Sequence, residues 1–316
     1  MLLSVLHIVA ASFTVNPDSN QIAKNDYCRD VVGVCSYYDK TSRNYIFDRQ
    51  IYDLGYDTLP QVKFWRNIMK LTKDSALINI AHNRTIVEQV HSNNWNNLPD
   101  VSKSTYRDSI RDAYCLSDSS RILVTEGKSF FYDFNKAFEN LHRGIDDFIE
   151  NDVDPWYAQA ILLIESPNKL QKSNVGAYGP FQLMKPVARM FGLKVNKHQD
   201  ERADFDRSAY AASSLLKNIC IPEVKKMLDG MGIAYNEQDI WFRLLVMHAY
   251  HAGAGNVKAA LYAIGPNNGG MELIQQMWRT SAKGFKSASQ NYSQLVLAAM
   301  IEMNSRVQFD DYVLSR

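Results

Sequence analysis

Residues Trp156 to Glu165 read Trp-Tyr-Ala-Gln-Ala-Ile-Leu-Leu-Ile-Glu, a run that on a helix is apolar nearly all round. A helix without a polar face belongs in the middle of a fold, because any exposed side would leave apolar surface in water. Its ends are marked. Asp154 suits the N-cap, where its side chain accepts a free backbone N–H, and Pro155 suits the first position, where no N–H is needed. Pro167 stops the helix just past Glu165 and Ser166. The fold is expected to enclose a short central helix that ends in a carboxylate.

Most of the chain around it also reads as helix. Phe134, Ala137, Phe138, Leu141, Ile145 and Phe148 recur at helical spacing. Further helices are expected from near Asp206 through Leu216, from Trp241 to Tyr250, briefly after Gly253 to Gly255, and from Tyr292 to Met303. Lys169 to Gln182 differs: Gly176 and Gly179 suit tight turns, which predicts an irregular or β-hairpin lobe. Before about residue 128, Trp65 to Leu71 and Thr85 to Val90 read as helical and Asn93 to Ser102 as a loop. The expected fold is mainly α. Residues 129–316 form the functional domain, 21–128 a mostly helical N-terminal region that packs or positions, and 1–20 a candidate leader.

The apolar run Met1 to Phe13 is too short to span a bilayer. It has the length and small-residue ending of a signal-peptide core but lacks the preceding basic residues, so the leader would be incomplete in this sequence; a buried first helix or strand is the other reading. No transmembrane segment is expected. With 35 basic and 34 acidic residues the net charge is +1, without the field of a nucleic-acid binder. Cys28, Cys35, Cys115 and Cys220 have no metal-site spacing; in an exported protein Cys28 and Cys35 would be the pair to form a disulfide. His248 and His251 share a helical face, yet no third ligand is evident, so core packing or cleft polarity is the reading and no metal is expected.

Glu165 is the candidate to carry the chemistry, although a Glu at a helix end, taken alone, is more often simply solvated. A carboxyl at the end of an apolar helix beside a Gly-rich lobe is placed to have a raised pKa, since desolvation disfavours its charged form. Such a group can act as a general acid near neutral pH. After it come S-x-x-G-A-x-G (Ser173 to Gly179), P-F-Q-L-M (Pro180 to Met184), F-G-L (Phe191 to Leu193) and D-E-R-A-D (Asp200 to Asp204). A-Y-H-A-G-A-G-N-V (Ala249 to Val257) and Asn291-Tyr292 complete the series. Each piece has a plain alternative: Tyr250 and Tyr292 as core packing, and the charged cluster Asp200 to Asp204 as a solvated turn.

In this order, the series resembles the lytic transglycosylases with a soluble-transglycosylase (SLT), lysozyme-like catalytic domain, and is most similar to the membrane-bound type D group. The resemblance covers roughly Asp154 to Asn304. It implies that Glu165 is the catalytic acid/base and that Ser166, Ser173, Gln182, Met184, Tyr250, His251 and Tyr292 contact substrate or shape its cleft. His251 stands where the family has Asn, Val187 where Thr is common, and Ala288 where many members have Glu. No stretch resembles the wall-binding LysM modules often attached to the type D group.

What the resemblance implies is cleavage of the MurNAc–GlcNAc bond of peptidoglycan strands outside the cytoplasmic membrane, with 1,6-anhydro ends and no cofactor. Most glycosidases use two carboxylates, whereas the lobe Ser173 to Met184 holds none. A goose-type hydrolytic muramidase is one alternative. A catalytically silent glycan-binding or scaffold protein is another. The sequence does not speak to oligomeric state.

Overall fold

The computed structural model describes residues 31–36, 42–165, 172–309 and 312–314. Its elements in order are β1 (Val31–Ser36), β2 (Ser42–Ile46), α1 (Gln50–Asp53), α2 (Pro60–Lys70), β3 (Ser75–Ile80), β4 (Ile86–His91), α3 (Ser92–Asn96), α4 (Asp100–Ala113) and β5 (Ile122–Glu126). The helices α5 (Phe134–Glu150), α6 (Trp156–Glu165), α7 (Lys185–Met190), α8 (Phe205–Leu215), α9 (Ile221–Met231) and α10 (Ile240–Ala252) follow. The chain then forms α11 (Ala254–Ile264), α12 (Met271–Met277), α13 (Ser287–Phe309) and β6 (Tyr312–Leu314). The chain is mainly α, as expected.

Every residue of α6 from Trp156 to Ile164 is buried. α5 and α13 pack against it, and α10 packs on α13. At its start the Trp156 backbone N–H donates to Asp154 Oδ1 at 3.0 Å, the cap expected from the sequence. The second Asp154 oxygen accepts from Arg243 Nε of α10 at 2.8 Å, and Arg243 Nη1 also reaches Asp48 at 3.4 Å. Asp48 in turn accepts from the Trp156 indole at 2.9 Å. All four side chains are buried, so this network fastens the start of α6 to α10 and to the chain just after β2. Gln159, midway along α6, exchanges two 2.9 Å hydrogen bonds with the Ile46 backbone at the end of β2. A buried amide is tolerable only when paired in this way.

The N-terminal residues share the main core with the rest: Tyr45, Ile51, Val62 and Phe64 cluster with residues of α5, α6, α10 and α13. Two antiparallel sheets accompany the helices, in the orders β2-β1-β6 and β4-β3-β5. The second is central to a small separate core of Ile78, Ile80, Trp95, Ile110 and Ile122 beneath α3 and α4. Here the sequence expectations need correction. Thr85 to Val90 is not helical but supplies β4, whose β-branched Ile86, Val87 and Val90 suit a pleated surface. Val87 and Val90 also sit three apart, which imitates a helical repeat. Asn93 to Ser102 is not a loop throughout, because α3 occupies its first part and α4 begins at Asp100 directly after Pro99.

The helix from α8 runs on beyond Leu216 through a π turn, Leu216–Cys220, into α9. Pro222 has no N–H to donate, and a shift in hydrogen-bond register absorbs that loss. Among the described residues no helix is long and apolar enough to cross a membrane. The expectation for Met1 to Phe13 lies outside the described residues, as does Cys28 of the expected Cys28–Cys35 pair. Cys115 and Cys220 are free thiols.

Candidate active site

Glu165 ends α6. It receives a hydrogen bond from the Tyr292 hydroxyl of α13, 3.1 Å from Tyr292 Oη to Glu165 Oε1. Burial raises its pKa to about 7, against a smaller lowering by the Tyr292 bond, which favours the ionised form. Two further tyrosines lie within electrostatic reach. The charge of Glu165 adds to burial in raising the phenol pKa of Tyr250 on α10 and of Tyr132, just before α5. Three helices and one loop therefore converge on a single carboxyl whose pKa burial raises toward neutrality.

The other side chains singled out in the sequence divide by location. Tyr250 donates to the Phe181 carbonyl at 2.6 Å, tying α10 to the Gly-rich lobe. His251 lies against Tyr292, ring centroids 4.2 Å apart and nearly parallel at 19°. His248 turns elsewhere: its Nε2 pairs with Ser293 Oγ at 2.8 Å, and that oxygen also accepts the Trp278 indole N–H at 2.7 Å. Burial, then the neighbouring His251, lowers the His248 pKa to about 3, so its ring stays neutral. The two imidazoles are committed to different partners. No group of three or more metal-ligating side chains occurs among the described residues.

Within the lobe, Ser173 Oγ accepts the Ala177 N–H at 3.0 Å, and the Ser173 N–H donates back to the Ala177 carbonyl at 2.9 Å. Gln182 adopts a left-handed backbone, φ 47°, with its side-chain amide donating to Gly179 O at 3.0 Å. A bridge between Tyr178 and Leu183 closes this small hairpin, the lobe form anticipated from Gly176 and Gly179. Met184 is exposed at its exit, before α7. Ser166 lies outside the described residues.

D-E-R-A-D corrects the sequence reading most. It is not a solvated turn. Arg202 is fully buried and holds the lobe from inside: Nη1 donates to the carbonyls of Gly176 and Leu183 at 2.9 and 2.8 Å. Its Nε and Nη2 form a two-pronged pair with Asp200, both at 2.8 Å, which holds the Asp200 carboxyl below its ordinary pKa. Gly179 must be glycine here, since a Cβ would fall 1.7 Å from the Arg202 carbonyl oxygen. Glu201 accepts from the Lys194 backbone N–H at 2.6 Å and lies 3.5 Å from Arg207. Asp204 caps α8, accepting from the Arg207 N–H at 2.9 Å. All three acids of this segment therefore have structural partners.

Tyr132 was missed. It sits in the aromatic run Phe130-Phe131-Tyr132-Asp133-Phe134 and stacks on Phe134 at 6.1 Å. Nothing in its local sequence separates it from a core aromatic; only the fold brings it to Glu165.

A mainly helical fold thus surrounds one desolvated carboxyl beside a Gly-rich lobe. Residues 149–265 match the family model of the transglycosylase SLT domain. The matched stretch holds α6, the lobe, Arg202 and Tyr250, and over it the chain is similar to a transglycosylase SLT domain. No curated protein matches the chain.

Proposed function

We propose that this protein is a peptidoglycan lytic transglycosylase acting outside the cytoplasmic membrane, with Glu165 as acid and then base. The supporting observation is the Glu165 carboxyl itself, shifted to about 7 by burial and held by Tyr292 at 3.1 Å. A group with that pKa has both protonation states available near neutral pH, which one residue serving two steps requires.

Protonated Glu165 gives its proton to the oxygen joining N-acetylmuramic acid to N-acetylglucosamine, and that bond breaks. The substrate's own acetamido group stabilises the cationic carbon. The carboxylate left behind, favoured by the Tyr292 hydroxyl, takes the proton of the sugar's 6-hydroxyl as its oxygen closes the 1,6-anhydro ring. Water is not consumed, and the Glu165 proton is restored. Ser166, Ser173, Gln182, Met184, Tyr250 and His251 are assigned to holding the glycan. The partner is the peptidoglycan strand, and no cofactor enters the scheme.

Hydrolysis would call for a water held by a second acid. Asp200, Glu201 and Asp204 are engaged with Arg202, the Lys194 and Arg207 pair, and the α8 cap, which favours ring closure over water attack. We assign the glycan-cleaving unit to residues 129–316 and the nearest affinity within the family to the membrane-bound type D group. Purified cell walls test the reading. Wild-type protein is expected to clear a wall suspension, and Glu165→Gln to be slower by about a hundredfold to ten-thousandfold. Near-normal clearing by Glu165→Gln would refute the assignment.

A further inference from the structure

The sheet β4-β3-β5 leaves β5 as an edge. Along β5 the Gly127 N–H donates to Ser75 O at 2.8 Å and Arg121 O accepts from the Ala81 N–H at 2.9 Å. Antiparallel ladders alternate, so Arg121, Leu123, Thr125 and Gly127 direct their backbone groups to β3. Ile122, Val124 and Glu126 direct theirs outward. No described residue pairs with these outward groups. Exposed edges are usually blunted by a Pro, a Lys or a covering segment, and β5, reading Ile-Leu-Val-Thr-Glu, carries neither Pro nor Lys.

Beside this edge lies a groove of about 620 Å³. Its lining brings in Lys73, Arg107 and Lys128 against a single carboxylate, Glu126. None of the three cations has a carboxylate partner among the described residues. Arg107 lies over the Trp95 ring at 5.5 Å and Lys128 over Trp65 at 5.9 Å, so both side chains are propped in place by aromatic faces. Phe130, 59% exposed, offers an apolar contact at one end. Gly127 lets the end of β5 press against the Leu71–Thr72 backbone, where a Cβ would fall 2.2 Å from the Thr72 carbonyl oxygen.

We propose that this edge is a docking groove for an acidic polypeptide segment in extended form, which adds to the sheet as a fourth strand beside β5. Main-chain hydrogen bonds to Ile122, Val124 and Glu126 would give the affinity, as in other strand-addition sites. The unpaired cations select acidic side chains. Because the site lies outside the glycan-cleaving machinery, the proposal stands or falls independently of the assignment of Glu165.

The test uses the full chain and two end-blocked hexapeptides, Glu-Val-Glu-Val-Glu-Val and Lys-Val-Lys-Val-Lys-Val, read by fluorescence anisotropy and by amide hydrogen exchange. The acidic peptide is expected to bind at least about tenfold more tightly than the basic one and to slow exchange at Ile122, Val124 and Glu126. Val124→Pro removes one outward N–H, and the triple variant Lys73→Glu, Arg107→Glu, Lys128→Glu reverses the charge. Each is expected to lose binding while clearing cell walls at the wild-type rate; if the proline variant does not fold, the charge reversal decides alone. Four results would overturn the proposal. They are equal or absent binding of the two peptides, binding that survives charge reversal, preference for soluble wall stem peptides, and outward amides already protected in the free chain.

Discussion

The raised pKa of Glu165 has consequences for stability as well as catalysis. Its folded-state value lies above the ordinary carboxylate value of 4.5, at about 7, so the native protein holds a proton that the unfolded chain releases earlier. That contribution is complete below the unfolded value and is lost as pH rises through the folded one. The melting temperature of wild type should therefore fall relative to Glu165→Gln between about pH 5 and pH 8, measured by paired thermal scans. Tyr292→Phe removes the bond that favours the carboxylate. The alkaline limb of the pH–rate profile should then move upward while the maximal rate drops; a limb that stays in place would separate Tyr292 from the titration. EDTA should leave wall clearing unchanged, since His248 is committed to Ser293 and His251 lies on Tyr292. Glu165, Tyr250 and Tyr292, which the fold brings near one another, each stand in a short ordered motif. Tyr132 stands in none and was not legible, because its nearness to Glu165 depends on how α5 packs against α6.

The Gly-rich lobe shows how one element depends on a residue that its own sequence does not contain. Arg202, 0% exposed, satisfies two lobe carbonyls and is itself neutralised by Asp200. Asp200 is partly exposed, so removing Arg202 should cost less than the about 3–5 kcal/mol typical of breaking a fully buried pair. Arg202→Ala should therefore loosen residues 172–184, seen as faster amide exchange there and lost wall clearing, with the helical circular dichroism kept. Arg202→Lys should not rescue it, since an ammonium cannot reproduce the two-pronged contact. Undisturbed exchange in the lobe would show that Arg202 does not hold it. A run of charges reads as solvated because most such runs are, and burial of the guanidinium follows from the carbonyls of Gly176 and Leu183 meeting it. β4 was misread for a related reason: six residues carry too few repeats to separate a helical period from an alternating one.

Across the whole molecule the N-terminal residues complete the core rather than stand beside it. Asp48 pairs with Arg243, Ile46 with Gln159 and the Trp65 indole with Gln294 at 3.0 Å, so α6, α10 and α13 each use a partner from before residue 129. A fragment of residues 129–316 would leave these groups unpaired and the faces beneath Val62 and Phe64 in water. It should fail to give a cooperative thermal transition, whereas a fragment that melts like the full chain would show that the early residues are dispensable. The mainly helical fold and the course of α5, α6 and α10 could be read from apolar spacing and caps. The two sheets could not, because β1 and β3, besides pairing with the strand that follows, each take a second partner far along the chain, β6 and β5. The central claim concerns what one carboxyl does to the glycan, and mass spectrometry of the muropeptides released from purified walls tests it most directly. Products ending in 1,6-anhydro-muramic acid, one water lighter than hydrolysed ends, are expected; a digest dominated by reducing ends would contradict the account and identify a muramidase.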